Sequence, residues 1–188
     1  MTTVAIVYHS GYGHTEVQAK AVHKGAASVS GITASLVTVE DATANMDILK
    51  DVDAIIFGAP TYMGSASAPF KAFQDASSGA WFNRHWKDKI AAGFTNSHSM
   101  SGDKLNTLMQ MTIFAMQHGM IWVGQAEMNQ SPDGEPGQAD AINRIGSFLG
   151  AMAQSENAAP DITPPSGDLK TAELLGIRVA TLAQKLHS

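Results

Sequence analysis

The chain contains no cysteine. That excludes disulfides, thiolate nucleophiles and Cys-ligated metals, and it fits a reducing compartment. Lys and Arg number 12 against 17 Asp and Glu, and the cations form no cluster. A formal charge of −5 without a basic patch argues against nucleic acid or an anionic membrane as partner. No apolar run approaches the ~20 residues that a membrane span requires. No basic leader precedes the first apolar stretch, so a cytoplasmic setting is expected. No pair of histidines shows a metal-ligand spacing, and no metal is expected. What is present is globular: 188 residues, 44% hydrophobic and 15% charged, the size of one doubly wound domain with a full core.

Five short apolar runs alternate with helical periodicity. Val4–Tyr8, Ile32–Val39, Asp53–Gly58, Ile90–Phe94 and Met120–Val123 read as strands. Helices are expected over Thr15–Ser28, Met46–Lys50, Ala68–Ala76 with Pro69 in its first turn, Asp103–Gln117 and Leu169–Leu186. Gly119 is placed to cap the fourth of these. Such alternation predicts a parallel sheet covered on both faces, and right-handed crossovers make it doubly wound. The stretch 125–168 breaks the alternation. It is rich in Gly, Pro, Ser, Asp and Asn, and reads as a functional excursion from a single domain over 1–188.

Strand-to-helix loops of a parallel sheet emerge at its carboxyl edge, where such folds bind ligands. Three of them share a character: Ser10-Gly11-Tyr12-Gly13-His14-Thr15, Pro60-Thr61-Tyr62-Met63-Gly64-Ser65 and Asn96-Ser97-His98-Ser99-Met100-Ser101-Gly102. All are small, hydroxyl-bearing and glycine-containing, and none carries Lys or Arg. They converge if the first strand lies beside the third. The first loop suits an anion: its glycines turn backbone amides inward, Ser10 and Thr15 can donate, and a helix begins at Thr15. A plain tight turn is the competing reading. A Walker loop is excluded because no Lys follows the second Gly, and Glu16 stands where a dinucleotide fingerprint requires its third Gly.

Four ordered segments carry a resemblance. Ser10–Glu16 resembles the flavin phosphate loop of the Trp-repressor-binding-protein (WrbA-type) family of flavodoxin-like NAD(P)H:quinone oxidoreductases, and Gly58–Gly64 its second flavin loop. Ser78-Gly79-Ala80-Trp81 is similar to a Gly-Gly-Leu-Trp segment, and Gln117-His118-Gly119-Met120 to His-His-Gly-Met. The likeness spans residues 3–124 and the last helix. Tyr62 stands where the family often has Arg, the third loop is less glycine-rich, and 125–168 aligns poorly apart from Ser147–Met152, which resembles a Gly-Ala turn near the flavin.

The resemblance implies a flavodoxin-like fold with five parallel strands in the order 2-1-3-4-5. It also implies FMN at the three loops, with its phosphate in Ser10–Thr15. The implied activity takes electrons from NADH or NADPH through FMN to quinone-like acceptors. The alternatives are a flavodoxin-type one-electron carrier and a non-catalytic regulatory flavoprotein. His118 is implied at the flavin pyrimidine edge, holding negative charge on the reduced ring, against a plain capping role at its helix end. Trp81, read as lying on a loop, is implied to wall the acceptor pocket, and Tyr12 and Tyr62 are candidates for nicotinamide or ring contact. In the first loop the amide of His14 matters more than its imidazole. His98 touches the ring or points to water. His9, His23, His85 and His187 are structural or exposed; Trp86 and Trp122 are packing residues. Met100, Met109, Met111, Met116 and Met120 fill core or interface. Between Leu105 and Met120 the helix is more apolar than one core-facing stripe requires, so a homo-oligomer is expected, tetrameric as in the resembled family, with Trp81 and the 125–168 excursion reaching across to complete a neighbour's site.

Overall fold

The computed structural model describes residues 1–131, 135 and 137–186. His187 and residues 132–134 and 136 of the 125–168 excursion therefore lie outside the described residues. The chain runs β1 (Thr2–Tyr8), α1 (His14–Ala27), β2 (Ile32–Thr38), α2 (Val39–Ala44), a 3-10 turn (Met46–Leu49), β3 (Ala54–Tyr62) and β4 (Ser65–Ala66). It continues with α3 (Ala68–Ala76), α4 (Ser78–Phe82), β5 (Ile90–Ser97), α5 (Lys104–Gln117), β6 (Ile121–Trp122), β7 (Ala151–Gln154) and α6 (Ser166–Leu186).

The sheet order is β2-β1-β3-β5, and the last position is shared. β6 pairs with the start of β5 (Ile90 opposite Ile121) and β7 with its end (Phe94 opposite Ala151), both parallel. The single fifth strand expected at Met120–Val123 is thus two short segments, and the excursion leaves between them and returns. Among the strands of the described residues, β4, folded back on β3, pairs antiparallel. This is the doubly wound, flavodoxin-like architecture. Alternate residues of β1 show its two faces: Val4 and Ile6 pack beneath α1 and α6 with Val22, Leu175 and Val179, while Ala5 and Val7 face Phe57, Phe73, Trp86 and Leu108 beneath α3 and α5.

Local chemistry explains where element ends differ from the sequence expectation. Val39 belongs to α2, not to β2, because the Thr38 hydroxyl caps α2, accepting from Asp41 N at 3.1 Å. β3 runs past Pro60. Gly58 faces β1, accepting from His9 N, and Pro60 faces the same way beyond the end of β1, where the ladder requires no donor. Trp81 lies in the short helix α4, not on a loop. Gly119 adopts the left-handed φ of 74° expected of a cap after α5.

Candidate functional site

The loops after β1, β3 and β5 do converge at the carboxyl edge of the sheet. They surround a cavity of about 850 Å³, within the range of small-molecule sites. Ser10, Tyr12, His14 and Thr15 line it from the first loop, Pro60 to Met63 from the second, and Asn96, Ser97 and His98 from the third. A fourth wall, not anticipated from the sequence, comes from the segment after β7: Ser155, Glu156, Asn157, Ala158 and Pro160. Its signal was the short apolar run Ala151–Ala153 ending in a polar loop, the same strand-then-loop pattern in miniature.

The first loop is organised around one hydroxyl. Ser10 Oγ accepts the backbone N–H of Gly13 and of Glu16, each at 3.1 Å, which folds the loop over the start of α1. Gly13 has φ +89°, and a Cβ there would also sit 2.7 Å from Pro160 Cγ, so its glycine is required twice. Thr15 is buried one residue into α1 and faces the cavity, at the positive end of the helix dipole. The His14 imidazole is structural. Its Nε2–H donates to the Ala158 carbonyl at 2.8 Å and ties the fourth wall to the first loop.

The second loop is anchored from below. Thr61 Oγ1 lies 2.8 Å from Thr95 Oγ1 and 2.7 Å from Thr107 Oγ1, a buried chain of three hydroxyls joining β3, β5 and α5. Above it, the Tyr62 hydroxyl lies close against Gly11, and its ring meets Tyr12 edge-on, with ring centroids 6.3 Å apart. Burial raises the Tyr62 pKa, with the neighbouring Tyr12 adding to it, so the phenol stays protonated at neutral pH. Tyr12 and Met63 are strongly exposed at the rim.

The third loop rests on buried charge. Lys104 donates through Nζ to Ser97 Oγ and to the Ser99 carbonyl, both at 2.7 Å. Gln154 Nε2 donates to the His98 carbonyl at 2.9 Å, and Ser155 Oγ to Asn96 Oδ1 at 2.9 Å. Behind them Asp168 accepts from Arg144 Nε, Arg144 Nη2 and the Gln154 amide. Ser99, Met100 and Ser101 are exposed, and Gly102 is half-buried; with Gly11, Gly13 and Gly64 they shape the loops without lining the cavity. Sequence reading missed Lys104, Arg144 and Asp168 because isolated charges on helices or in loops look solvated until tertiary packing buries them.

The expected role of His118 is corrected, and two further features, Trp81 and the turn at Ser147–Gly150, lie away from the cavity of their own chain. His118 does not approach this cavity and is not a cation. It is 3% exposed at the far end of α5, stacked 4.2 Å from Trp86 and edge-on to Phe114. Ser77 Oγ donates to the Gln74 carbonyl, so His118 Nε2–H donates to Ser77 Oγ at 3.0 Å, and Nδ1 faces apolar surroundings unprotonated. Burial, reinforced by Arg84, pushes its pKa down to about 4. Trp81 also lies away from the cavity, half-exposed beside a shallow groove formed with Arg84, Ile113 and Met116. The turn at Ser147–Gly150 feeds β7, Ser147 Oγ donating to the Gly150 carbonyl, and does not line the cavity either.

Comparison with known proteins sets this geometry in context. Residues 29–133 match the family described as NADPH-dependent FMN reductase. Across the whole chain, it is 45% identical to a protein called flavodoxin FldP from Pseudomonas aeruginosa, with 100% of both chains covered. It is 31% identical to an NAD(P)H dehydrogenase (quinone) from Archaeoglobus fulgidus, covering 99% of this chain and 100% of that one. The crystal structure of a WrbA-like flavodoxin from Agrobacterium tumefaciens superposes with a TM-score of 0.75 at 40% identity, covering 98% of this chain and 99% of that one.

Proposed function

Because the chain belongs to the NADPH-dependent FMN reductase family, we propose that it is a WrbA-type flavoenzyme that binds FMN and passes electrons from NADH or NADPH to quinone-like acceptors. The observation that carries this reading is the first loop. A helix N-terminus, a loop closed on the Ser10 hydroxyl and the cavity-facing Thr15 together suit a terminal phosphate without a formal cation. The wider cavity fits a flat ring system, with Pro60–Tyr62 on one side, Asn96–His98 on another and the Ser155–Pro160 segment closing a third. FMN, when bound, supplies the exchange of an electron pair between nicotinamide and acceptor. The chain's residues bind, orient and exclude water: Ser10 and Thr15 hold the phosphate, the Thr61 hydroxyl chain keeps the second loop rigid, and the exposed Tyr12 and Tyr62 offer faces on which nicotinamide or quinone can stack.

The reading is tested by reconstitution. The protein is saturated with FMN, and its visible spectrum is followed anaerobically as NADH or NADPH and then benzoquinone are added. Bleaching by the nucleotide and recovery with the quinone support it; a spectrum that neither nucleotide changes overturns it. A second reading, one-electron carriage between proteins, is raised by the name of the relative called flavodoxin FldP. It is distinguished by bleaching with a one-electron donor but with neither nucleotide.

The proposed working unit is a homo-oligomer in the cytoplasm, tetrameric as in the resembled family. Leu105, Met109, Ile113 and Met116 recur along α5 at spacings of three and four residues, and each is close to half exposed or more. Trp81 and Phe82 extend this apolar face. The buried stripe of the same helix is Leu108, Met111 and Ala115, so the excess apolar surface does point outward.

A further inference from the structure

Lys104 is the first residue of α5 and has no exposed surface. Its ammonium is held by two neutral oxygens of the third loop, Ser97 Oγ and the Ser99 carbonyl. Among the described residues no carboxylate pairs with it within 4 Å. Its charged neighbours are Asp168, which attracts it, and Arg144, which repels it. Asp168 is already engaged by two Arg144 nitrogens and is 1% exposed. The buried group therefore carries two cations against one anion, and Ser97, which Lys104 grips, faces the cavity.

A charge in this position works against folding, since burial pulls the Lys104 pKa down to about 8. Methionine would fill much of the same space without the loss of hydration. Nor does loop bracing require a cation: the Gln154 amide already holds the His98 carbonyl. The charge itself, more than the bonds it makes, is what distinguishes Lys104.

We propose that Lys104 tunes the redox behaviour of the FMN assigned to this cavity, its buried ammonium standing one hydroxyl behind the wall and favouring the reduced cofactor over the oxidised one. This rests on the FMN reading above. Two electrons and one proton delivered by a nicotinamide cofactor, which leaves as its oxidised cation, place one additional negative charge in the cavity. A fixed cation behind Ser97 stabilises that charge and raises the reduction potential. Lys104 acts through space and through the third loop, so it is a positioning residue, not a catalytic one. It takes the electrostatic part that a neutral, distant His118 cannot play.

The test uses wild type, Lys104→Met, Lys104→Gln and Lys104→Arg, each saturated with FMN. Three quantities are measured: affinity for oxidised FMN, midpoint potential against redox dyes, and melting temperature of the FMN-free protein. Both neutral variants should lower the ratio of affinities for reduced and oxidised FMN about tenfold, equal to about 30 mV for a two-electron couple. The arginine variant should keep most of the wild-type ratio, and the methionine variant should melt no lower than wild type. An unchanged potential in the neutral variants, or equal loss of affinity for both redox forms, overturns the proposal in favour of loop bracing alone. If one neutral variant does not fold, the other decides; if neither folds, the charge is structural and the proposal falls. A wild type that takes up no FMN overturns the functional reading itself, whereas FMN-loaded variants of unchanged potential overturn only the role of Lys104.

Discussion

His118 makes a quantitative claim about acid stability. Its pKa falls from 6.5 to about 4 on folding, because Nδ1 would have to carry a proton against Trp86 and Phe114, with Arg84 adding repulsion. The folded value lies below the unfolded one, so between them the unfolded chain binds the proton more readily. The contribution is therefore complete above pH 6.5 and is lost as pH falls towards 4. The full difference corresponds to about 3 kcal/mol, at roughly 1.4 kcal/mol per pKa unit, and lowering pH from 7.5 to ~5 should already remove about 2 kcal/mol. His118→Phe keeps a ring against Trp86 but cannot titrate. Urea unfolding of both proteins across this range isolates the effect, because carboxylates common to both cancel. At an m-value of ~2 kcal/mol per molar, the wild-type midpoint should fall by about 1 M more than that of the variant. Parallel midpoints in the two proteins would refute the buried neutral imidazole and return His118 to a solvated helix end.

Thr15→Ala should weaken FMN by about 1–3 kcal/mol, the range for hydrogen bonds to a charged group, and leave riboflavin binding almost unchanged; equal losses in two fluorescence titrations would remove the phosphate-loop assignment. Asp168→Asn leaves Arg144 with its charge buried and its bidentate partner weakened, so unfolding free energy should drop by about 3–5 kcal/mol. A loss below ~1 kcal/mol in chemical denaturation would mean the ion pair is solvated. Ile113→Asp places a carboxylate in the middle of the exposed α5 stripe, and light scattering at micromolar concentration should then report a smaller species than wild type. A wild type that is already monomeric sinks the oligomer.

The sheet was legible because its strands are continuous apolar runs that only a doubly covered sheet can bury, and the three loops because each such run ends abruptly in Gly, Ser or Pro. Most of what escaped had a common cause. β7 is four residues, Ala151–Gln154, too short for periodicity to register, and its apolar part is mostly alanine. The sequence ends strand pairing at Met120–Val123, yet the edge of β5 beyond Ala91 still exposes backbone groups that must be paired. The returning chain meets that need at Phe94–Ser97, so the excursion is an insertion into a strand, not an addition after one. Once β7 is placed, the unforeseen features follow. The chain leaves β7 at the carboxyl edge, so Ser155–Pro160 must join the cavity wall. The Gln154 side chain then reaches the third loop, and Asp168 is drawn under it by the Gln154 amide. His118 escaped for the opposite reason. Its motif is local and easily read, but a parallel-sheet helix that starts at the carboxyl edge necessarily ends at the other. A residue at the end of α5 is thereby removed from the cavity of its own chain. The same geometry brings Lys104, at the start of that helix, directly behind the cavity wall.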